Sequence, residues 1–136
     1  MKRSTFMTVS AAASLLYGVA GLVASSQLAA IYGLTLDAQS EIFVKFLAAS
    51  YLGYAVTNWL ARHTTDPVAQ TAIVLGNFAG WAITLPVSLY GISITGGQAF
   101  GWATLALQVL VTAGWGYYAF MRGGARRPAA SEPAVR

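Results

Sequence analysis

Two long stretches of this sequence contain no charged side chain. The first runs from Ser4 to Leu36 and the second from Pro67 to Met121. The hydrocarbon core of a bilayer is about 30 Å thick, and about 20 apolar residues in an α-helix cross it. The first stretch is therefore long enough for one crossing and the second for two. Between those two crossings, Gly91, Gly96 and Gly97 are predicted to form the turn.

Charge is scarce in the rest of the chain as well. Only 9% of the 136 residues are charged, whereas soluble globular domains carry about 25%. Because so few charges cannot cover a surface in water, we expect an all-α integral membrane protein, a four-helix bundle in residues 1–122. A membrane β-barrel is excluded because the hydrophobic runs lack two-residue alternation. The four helices are predicted at about 7–31, 40–62, 68–90 and 98–121.

The second of these helices must include a lysine. The uncharged segment 46–61 is slightly short for a crossing, so the helix has to extend back past Lys45. Lys45 at one end and Arg62 at the other can reach toward the membrane surface along their alkyl stems. We therefore predict that this segment crosses the membrane despite its charges.

The positions of the cations predict the orientation. Seven of the eight Lys and Arg residues lie on one side of a four-helix topology: Lys2, Arg3, Arg62, Arg122, Arg126, Arg127 and Arg136. Since Lys and Arg near helix ends are retained in the cytoplasm, both termini are predicted to be cytoplasmic in a bacterial inner (plasma) membrane. No nucleic-acid partner is expected, because the basic residues form no helical stripe.

The two ends of the chain raise separate questions. Lys2 and Arg3 precede an apolar stretch with small residues at 24–26, which also resembles a signal peptide whose cleavage would leave three helices. The stretch continues to Ile31, beyond the roughly 7 to 15 residues of a signal core, so an uncleaved helix is favoured. At the other end, residues 123–136 lack apolar periodicity and are predicted to form a disordered cytoplasmic tail.

A short internal repeat suggests two helical hairpins. Residues 32–36 (Tyr-Gly-Leu-Thr-Leu) leave the first predicted helix and residues 90–94 (Tyr-Gly-Ile-Ser-Ile) leave the third. A true repeat would relate two hairpins by a pseudo-twofold axis along the membrane normal. Coincidence explains five matched positions equally well, because these residue types are common at the membrane interface.

Small and polar residues recur at helical spacing on every predicted crossing. Such faces turn inward in a bundle because polar groups in hydrocarbon need partners. The stripes are Ser10, Ser14, Tyr17, Gly21 and Ser25 on the first helix; Ser50, Tyr54, Thr57 and Asn58 on the second; Gln70, Asn77, Trp81, Thr84 and Ser88 on the third; and Thr104, Gln108, Thr112 and Trp115 on the fourth.

Part of these stripes forms the candidate site. Several members fall near the bilayer midplane when counted at about 1.5 Å per residue, and together they could line a small cavity. The candidate ligand-binding residues are Tyr17, Ser50, Tyr54, Asn77, Trp81 and Gln108. Ordinary interhelical hydrogen bonding accounts for the same residues and is the simpler interpretation. Close helix packing is further predicted at the pairs Gly76–Gly80 and Ala49–Gly53.

The residues needed for common catalytic chemistry are missing. There is no cysteine and one histidine, His63, whose sole nearby acid is Asp66. This composition leaves no four-ligand zinc site and no thiol chemistry. We predict no catalytic residue, no metal site and no cofactor.

The few remaining charges are predicted to begin helices. Asp37 or Ser40 is expected to cap the second helix, and the pair Asp66-Pro67 is typical of a helix start and predicts the beginning of the third. Glu41 lies four residues before Lys45, the favourable order for an ion pair on a helix.

The runs from Ile31 to Asp37 (IYGLTLD) and from Phe46 to Arg62 (FLAASYLGYAVTNWLAR) resemble small bacterial four-helix membrane proteins of unknown function, loosely DoxX-like. The likeness spans nearly the whole helical part. It implies the four-helix membrane fold. Some DoxX-like proteins are linked to quinone-coupled sulfur oxidation, but no residue here can be matched to that activity.

Three functions are compatible with this sequence. The favoured one is a non-enzymatic membrane protein that associates with itself or with a larger membrane complex as an accessory subunit. The second is a binder or transporter of a small lipophilic molecule such as a quinone, held in the bundle core. The third, a subunit of a membrane redox system, has the least support in the residues.

Overall fold

The computed structural model describes residues 1–122, which form helices joined by short connections and contain no strand. A π-helical turn continues the last of five α-helices. The elements are α1 (Arg3–Val23), α2 (Ser25–Ala30), α3 (Ala38–Ala61), α4 (Pro67–Ile94), α5 (Ala99–Gly116) and the π-helical turn (Tyr117–Arg122). The predicted tail, residues 123–136, lies outside the described residues.

Three of the helices are long and apolar enough to cross a membrane, namely α1, α4 and α5 continued to Met121. Helix α3 has 24 residues, which suffices for length. Its apolar character is weaker because Glu41, Lys45 and Asn58 interrupt it. Within residues 1–122 the structure thus contains three candidate spans, where the sequence predicts four crossings.

Helices α1 and α3 pack antiparallel through small residues. A Cβ atom added at Gly18 would lie 2.6 Å from the side chain of Leu52, and one added at Gly21 would lie 2.7 Å from Cβ of Ala48. Both glycines are buried. The two backbones approach closely because these positions carry no side chain.

Helices α4 and α5 form a second antiparallel pair with the same kind of contact. A Cβ atom at Gly101 would lie 3.3 Å from Ile92, and one at Gly116 would lie 3.2 Å from Phe78. Short connections join α3 to α4 and α4 to α5, so the long helices alternate in direction along the chain.

Contacts at one end of the molecule tie the amino terminus to two other segments. The Arg3 guanidinium donates a hydrogen bond to the Thr64 carbonyl at 3.1 Å, in the connection between α3 and α4. The Tyr118 hydroxyl donates to the Met1 carbonyl at 2.8 Å. The start of α1, the end of α3 and the end of α5 therefore share one end.

The opposite end is held by Tyr32, which follows α2. Its hydroxyl is hydrogen-bonded to the Thr104 hydroxyl at 3.1 Å, and its ring meets Phe100 edge-on at 4.9 Å between centroids. Burial raises the pKa of Tyr32 to about 12. This end therefore joins the α2–α3 connection to the start of α5.

The predicted helix starts are confirmed. Asp37 accepts a hydrogen bond from the Ser40 amide at 2.7 Å, and Asp66 accepts one from the Val68 amide at 2.9 Å. Hydrogen bonds from the Ser40 side chain and backbone hold the pKa of Asp37 below its usual range. Glu41 forms an ion pair with Lys45 at 2.9 Å.

The first predicted helix is interrupted. It breaks at Ala24, where φ is −140° and ψ is 41°, and resumes as α2. The hydroxyl of Ser25, the first residue of α2, donates to the Glu41 carboxylate at 2.8 Å. The broken helix thereby bonds to the first turn of α3.

The turn after α4 differs from its prediction. Gly91 lies inside α4, which continues to Ile94, so the prediction that Gly91 belongs to the turn is wrong. Gly96 and Gly97, with φ of 74° and 73°, make the turn in a conformation that only glycine adopts without strain. Tyr32 lies in a turn whereas Tyr90 is helical, so the repeated Tyr-Gly pairs have different local structures.

Candidate functional site

A buried pair of asparagines joins α3 to α4. The Asn58 amide donates to Asn77 Oδ1 at 3.1 Å, and the Asn77 amide donates to Asn58 Oδ1 at 3.0 Å. Asn58 also donates to the Ser10 hydroxyl at 3.4 Å, and Asn77 to the Ile73 carbonyl at 2.9 Å. Each amide group has a partner, so this network holds α1, α3 and α4 together and leaves little capacity for a ligand.

Aromatic side chains from the same three helices form a second layer. Tyr51 of α3 lies between Tyr17 and Trp81, with ring centroids 5.9 Å and 6.3 Å away. All three rings are partly buried. Two of the predicted site residues, Tyr17 and Trp81, are thus brought together through a residue that was not predicted.

A groove of about 550 Å³ runs between α3 and α4 and opens to the exterior. Its lining combines small residues with three predicted site residues: Ser50, Gly53, Tyr54, Thr57, Ala72, Ile73, Gly76 and Asn77. The Ser50 hydroxyl donates to the Phe46 carbonyl of its own helix at 3.1 Å. Ser50 and Asn77 are thus both hydrogen-bonded to protein groups. The remaining polar side chains of the lining are those of Tyr54 and Thr57.

Two glycines of this groove face open space. A Cβ atom added at Gly53 or Gly76 would meet no heavy atom within 4 Å. One turn after Gly76, a Cβ atom at Gly80 would lie 2.8 Å from the Tyr54 hydroxyl. A side chain at Gly80 would therefore displace the Tyr54 hydroxyl, whereas Gly53 and Gly76 have no such neighbour within the described residues.

Gln108 lies apart from the other five predicted residues. It is 7% exposed on α5, and its backbone carbonyl accepts a hydrogen bond from the Thr112 hydroxyl at 2.7 Å. Its side-chain Oε1 is buried without a hydrogen-bond partner among the described residues. The structure thus divides the predicted site into the groove, the aromatic layer and this isolated amide.

Sequence reasoning placed Asn58 in a polar stripe but left it out of the site. Its side chain is fully buried and contacts two other helices. The residue type itself could have indicated this position. An amide is among the costliest uncharged groups to leave unpaired in hydrocarbon, so Asn58 needs partners on other helices. No comparable signal marked Tyr51, which falls one residue outside the stripe.

Within residues 1–122, no group of three or more His, Asp or Glu side chains is placed to hold a metal ion. Comparison of the chain with protein-family models, curated proteins and solved structures finds no match.

Proposed function

We propose that this chain is a multi-pass protein of the bacterial inner membrane in which α3 is a fourth crossing between α1 and α4. At 1.5 Å per residue its 24 residues extend about 36 Å, more than the hydrocarbon core requires. Large apolar side chains cover its outer surface and are exposed: Ile42, Phe43, Phe46, Leu47, Val56, Trp59 and Leu60. Such a face is suited to lipid rather than to water.

The charges of α3 support the same proposal. Glu41 lies in its first turn and pairs with Lys45 one turn later, while Arg62 caps the other end and stacks on the Trp59 ring at 3.5 Å. Charges at both ends and none between them fit a helix whose ends lie at the two membrane surfaces.

We also propose that both termini are cytoplasmic. Lys2, Arg3 and Arg62 belong to the end of the molecule where Met1 and Tyr118 meet. Cytoplasmic retention of Lys and Arg favours this end as the inner one.

Within this membrane fold, the function that the geometry supports best is non-enzymatic association, as a self-associating or accessory subunit. The observation that carries it is the open space at Gly53 and Gly76 in the α3–α4 groove. In lipid, small residues on a helix surface let a second helix approach closely. Glycine weakens a helix by about 0.5 to 1 kcal/mol relative to alanine, so two exposed helical glycines that line one groove favour a packing role for that groove.

A second copy of this chain is the occupant we propose for the groove. Such a copy lies in the same bilayer at the same depth and orientation, so the groove of one molecule meets that of another without rearrangement. No charged side chain lines the groove, and two copies can therefore face each other without repulsion. Tyr54 and Thr57 supply hydroxyls for hydrogen bonds across the interface.

Filling the groove tests this association. Gly53→Leu and Gly76→Leu should each weaken self-association in liposomes by at least about tenfold, since a loss of 1.4 kcal/mol suffices for that factor. Gly91→Leu is the matched control, because Gly91 also faces open space but lies outside the groove. Single-molecule photobleaching over a range of protein-to-lipid ratios measures the dimer fraction. Wild-type protein that remains monomeric at every ratio would exclude self-association.

A second candidate function is binding of a small lipophilic molecule such as a quinone. The groove volume of about 550 Å³ falls within the range of ligand pockets, about 300 to 1,000 Å³. Native mass spectrometry in mild detergent distinguishes the two functions. Self-association predicts a dimer free of ligand, whereas this alternative predicts a monomer with a retained small molecule that Gly76→Leu displaces.

A further inference from the structure

The two ends of the molecule differ in how their cations are neutralised. At one end Lys45 lies 2.9 Å from the Glu41 carboxylate. At the other end, Lys2, Arg3 and Arg62 have no carboxylate within ion-pair distance among the side chains that the structure describes. The end that carries Lys2 and Arg3 therefore keeps its positive charge.

Contacts between two segments bring these three cations to one place. The Arg3 guanidinium donates to the carbonyl of Thr64, which lies two residues after Arg62. The same carbonyl accepts from the Gln70 side-chain amide at 2.7 Å, so the connection after α3 is held against the start of α1. Lys2 directly precedes Arg3 and is exposed.

The charge of this end is not balanced within residues 1–122. Its one described acid is Asp66, whose carboxylate accepts a hydrogen bond in the first turn of α4. Three cations against one carboxylate leave an excess of two positive charges. Arg3 and Arg62 are partly buried, and their hydrogen bonds go to the neutral backbone carbonyls of Thr64 and Trp59. Because a charge withdrawn from water is stabilised by a counter-charge, an anion is favoured here.

Exposed apolar side chains extend from these cations along both helices. They are Val9 and Leu16 on α1 and Val56, Trp59 and Leu60 on α3. The Arg62 guanidinium lies over the Trp59 ring, 3.5 Å from its centroid. A free phosphate ion would use only the charged part of this surface, whereas a lipid has a phosphate for the cations and acyl chains for the apolar part.

We propose that Lys2, Arg3 and Arg62 bind the headgroup phosphate of an anionic phospholipid whose acyl chains lie along α1 and α3. A zwitterionic headgroup fits less well, because its own ammonium neutralises the phosphate that the cations attract. The site rests on the membrane fold proposed above. It shares no residue with the lining of the α3–α4 groove, so it does not require self-association.

Native mass spectrometry of the full chain in mild detergent tests this site. The protein is titrated with phosphatidylglycerol or with phosphatidylethanolamine of the same acyl chains, and the affinity for phosphatidylglycerol should be higher. Lys2→Gln and Arg62→Gln should each weaken phosphatidylglycerol binding about fivefold, since one Lys or Arg contributes about 1 kcal/mol toward an anionic lipid surface. Lys45→Gln is the matched control. It removes the same unit of charge from the end where the cation is paired, and it should leave the affinity unchanged.

Arg62→Lys separates the charge of Arg62 from its packing. Lysine keeps the positive charge but loses the planar group that stacks on Trp59, so this variant should bind phosphatidylglycerol more tightly than Arg62→Gln. Equal losses in these two variants would overturn the proposal.

Three further results would also overturn it. They are equal affinity for the two lipids, equal weakening by Lys2→Gln and Lys45→Gln, and displacement of the lipid by inorganic phosphate in excess. Binding is read from the monomer in detergent, where neither membrane orientation nor dimer formation affects it. A negative result would therefore count against the lipid site alone and leave the proposed self-association to its own test.

Discussion

The amide of Asn58 has no exposed surface, and it bonds to two other helices. Replacing it with leucine, which keeps the branched shape, would leave Oδ1 of Asn77 without its donor. A buried group left unpaired costs about 1 to 3 kcal/mol, although interhelical hydrogen bonds in membranes average about 0.6 and reach about 1.7 kcal/mol. We expect Asn58→Leu to lower the free energy of unfolding by about 1 to 2 kcal/mol.

Equilibrium unfolding in mixed micelles, followed by circular dichroism, measures this effect. Because the two amides satisfy each other, the double variant with Asn77→Leu should lose less than the sum of the single losses. Ser50→Ala is the control, since Ser50 is exposed and bonds only within its own helix. It should change stability by less than about 0.5 kcal/mol. Strictly additive effects at Asn58 and Asn77 would contradict the reciprocal bonding.

Sequence periodicity located the polar residues but could not orient every helix. The predicted inward residues of α1, α4 and α5 are buried or partly buried, whereas on α3 only Asn58 is buried and Ser50, Tyr54 and Thr57 are exposed. The rotation of α3 follows from its contact with the glycines of α1, which buries Ala48 and Ala55 instead. Close approach of small residues determined this face, and polarity alone did not predict it.

At the scale of helices, the starts were predictable and the interruptions were not. Asp37 and Asp66 mark helix starts through local hydrogen bonds that depend on a few adjacent residues. The break at Ala24 coincides with the Ser25–Glu41 hydrogen bond, which joins residues sixteen apart. A contact of that kind is set by how helices pack, so a local sequence pattern gives no warning of it.

The α1–α3 contact yields a prediction about a single methyl group. In Gly21→Ala, the new Cβ would lie 2.7 Å from Cβ of Ala48, so the two helices have to separate. Overpacking of this kind costs about 1 to 3 kcal/mol. The same substitution at Gly91, a helical position in open space, should stabilise the protein by about 0.5 to 1 kcal/mol.

Thermal or denaturant unfolding of both alanine variants in one detergent checks this difference. The opposite signs make the comparison independent of general effects of alanine on helices. Equal stabilisation of Gly21→Ala and Gly91→Ala would show that α1 and α3 tolerate a larger separation than the structure indicates.

For the whole molecule, composition and uncharged length predicted an all-helical chain with membrane-spanning segments. The pairing of the helices was harder to predict from the sequence. The α1–α3 and α4–α5 contacts depend on which small residues face each other in the folded chain. The number of crossings depends on α3, where apolar length favours insertion and the charges near its start oppose it. This balance can be tested in the membrane.

Cysteine accessibility decides whether α3 crosses, and the absence of native cysteine removes background labelling. Thr35 precedes α3 and Thr65 follows it, and both are exposed. With four crossings and cytoplasmic termini, a membrane-impermeant maleimide applied to intact spheroplasts should label Thr35→Cys. Thr65→Cys and Ser131→Cys should react only after permeabilisation, which also serves as the control for intrinsic reactivity. If α3 lay at the surface, Thr35→Cys and Thr65→Cys would react from the same side, because only a crossing helix separates its two ends.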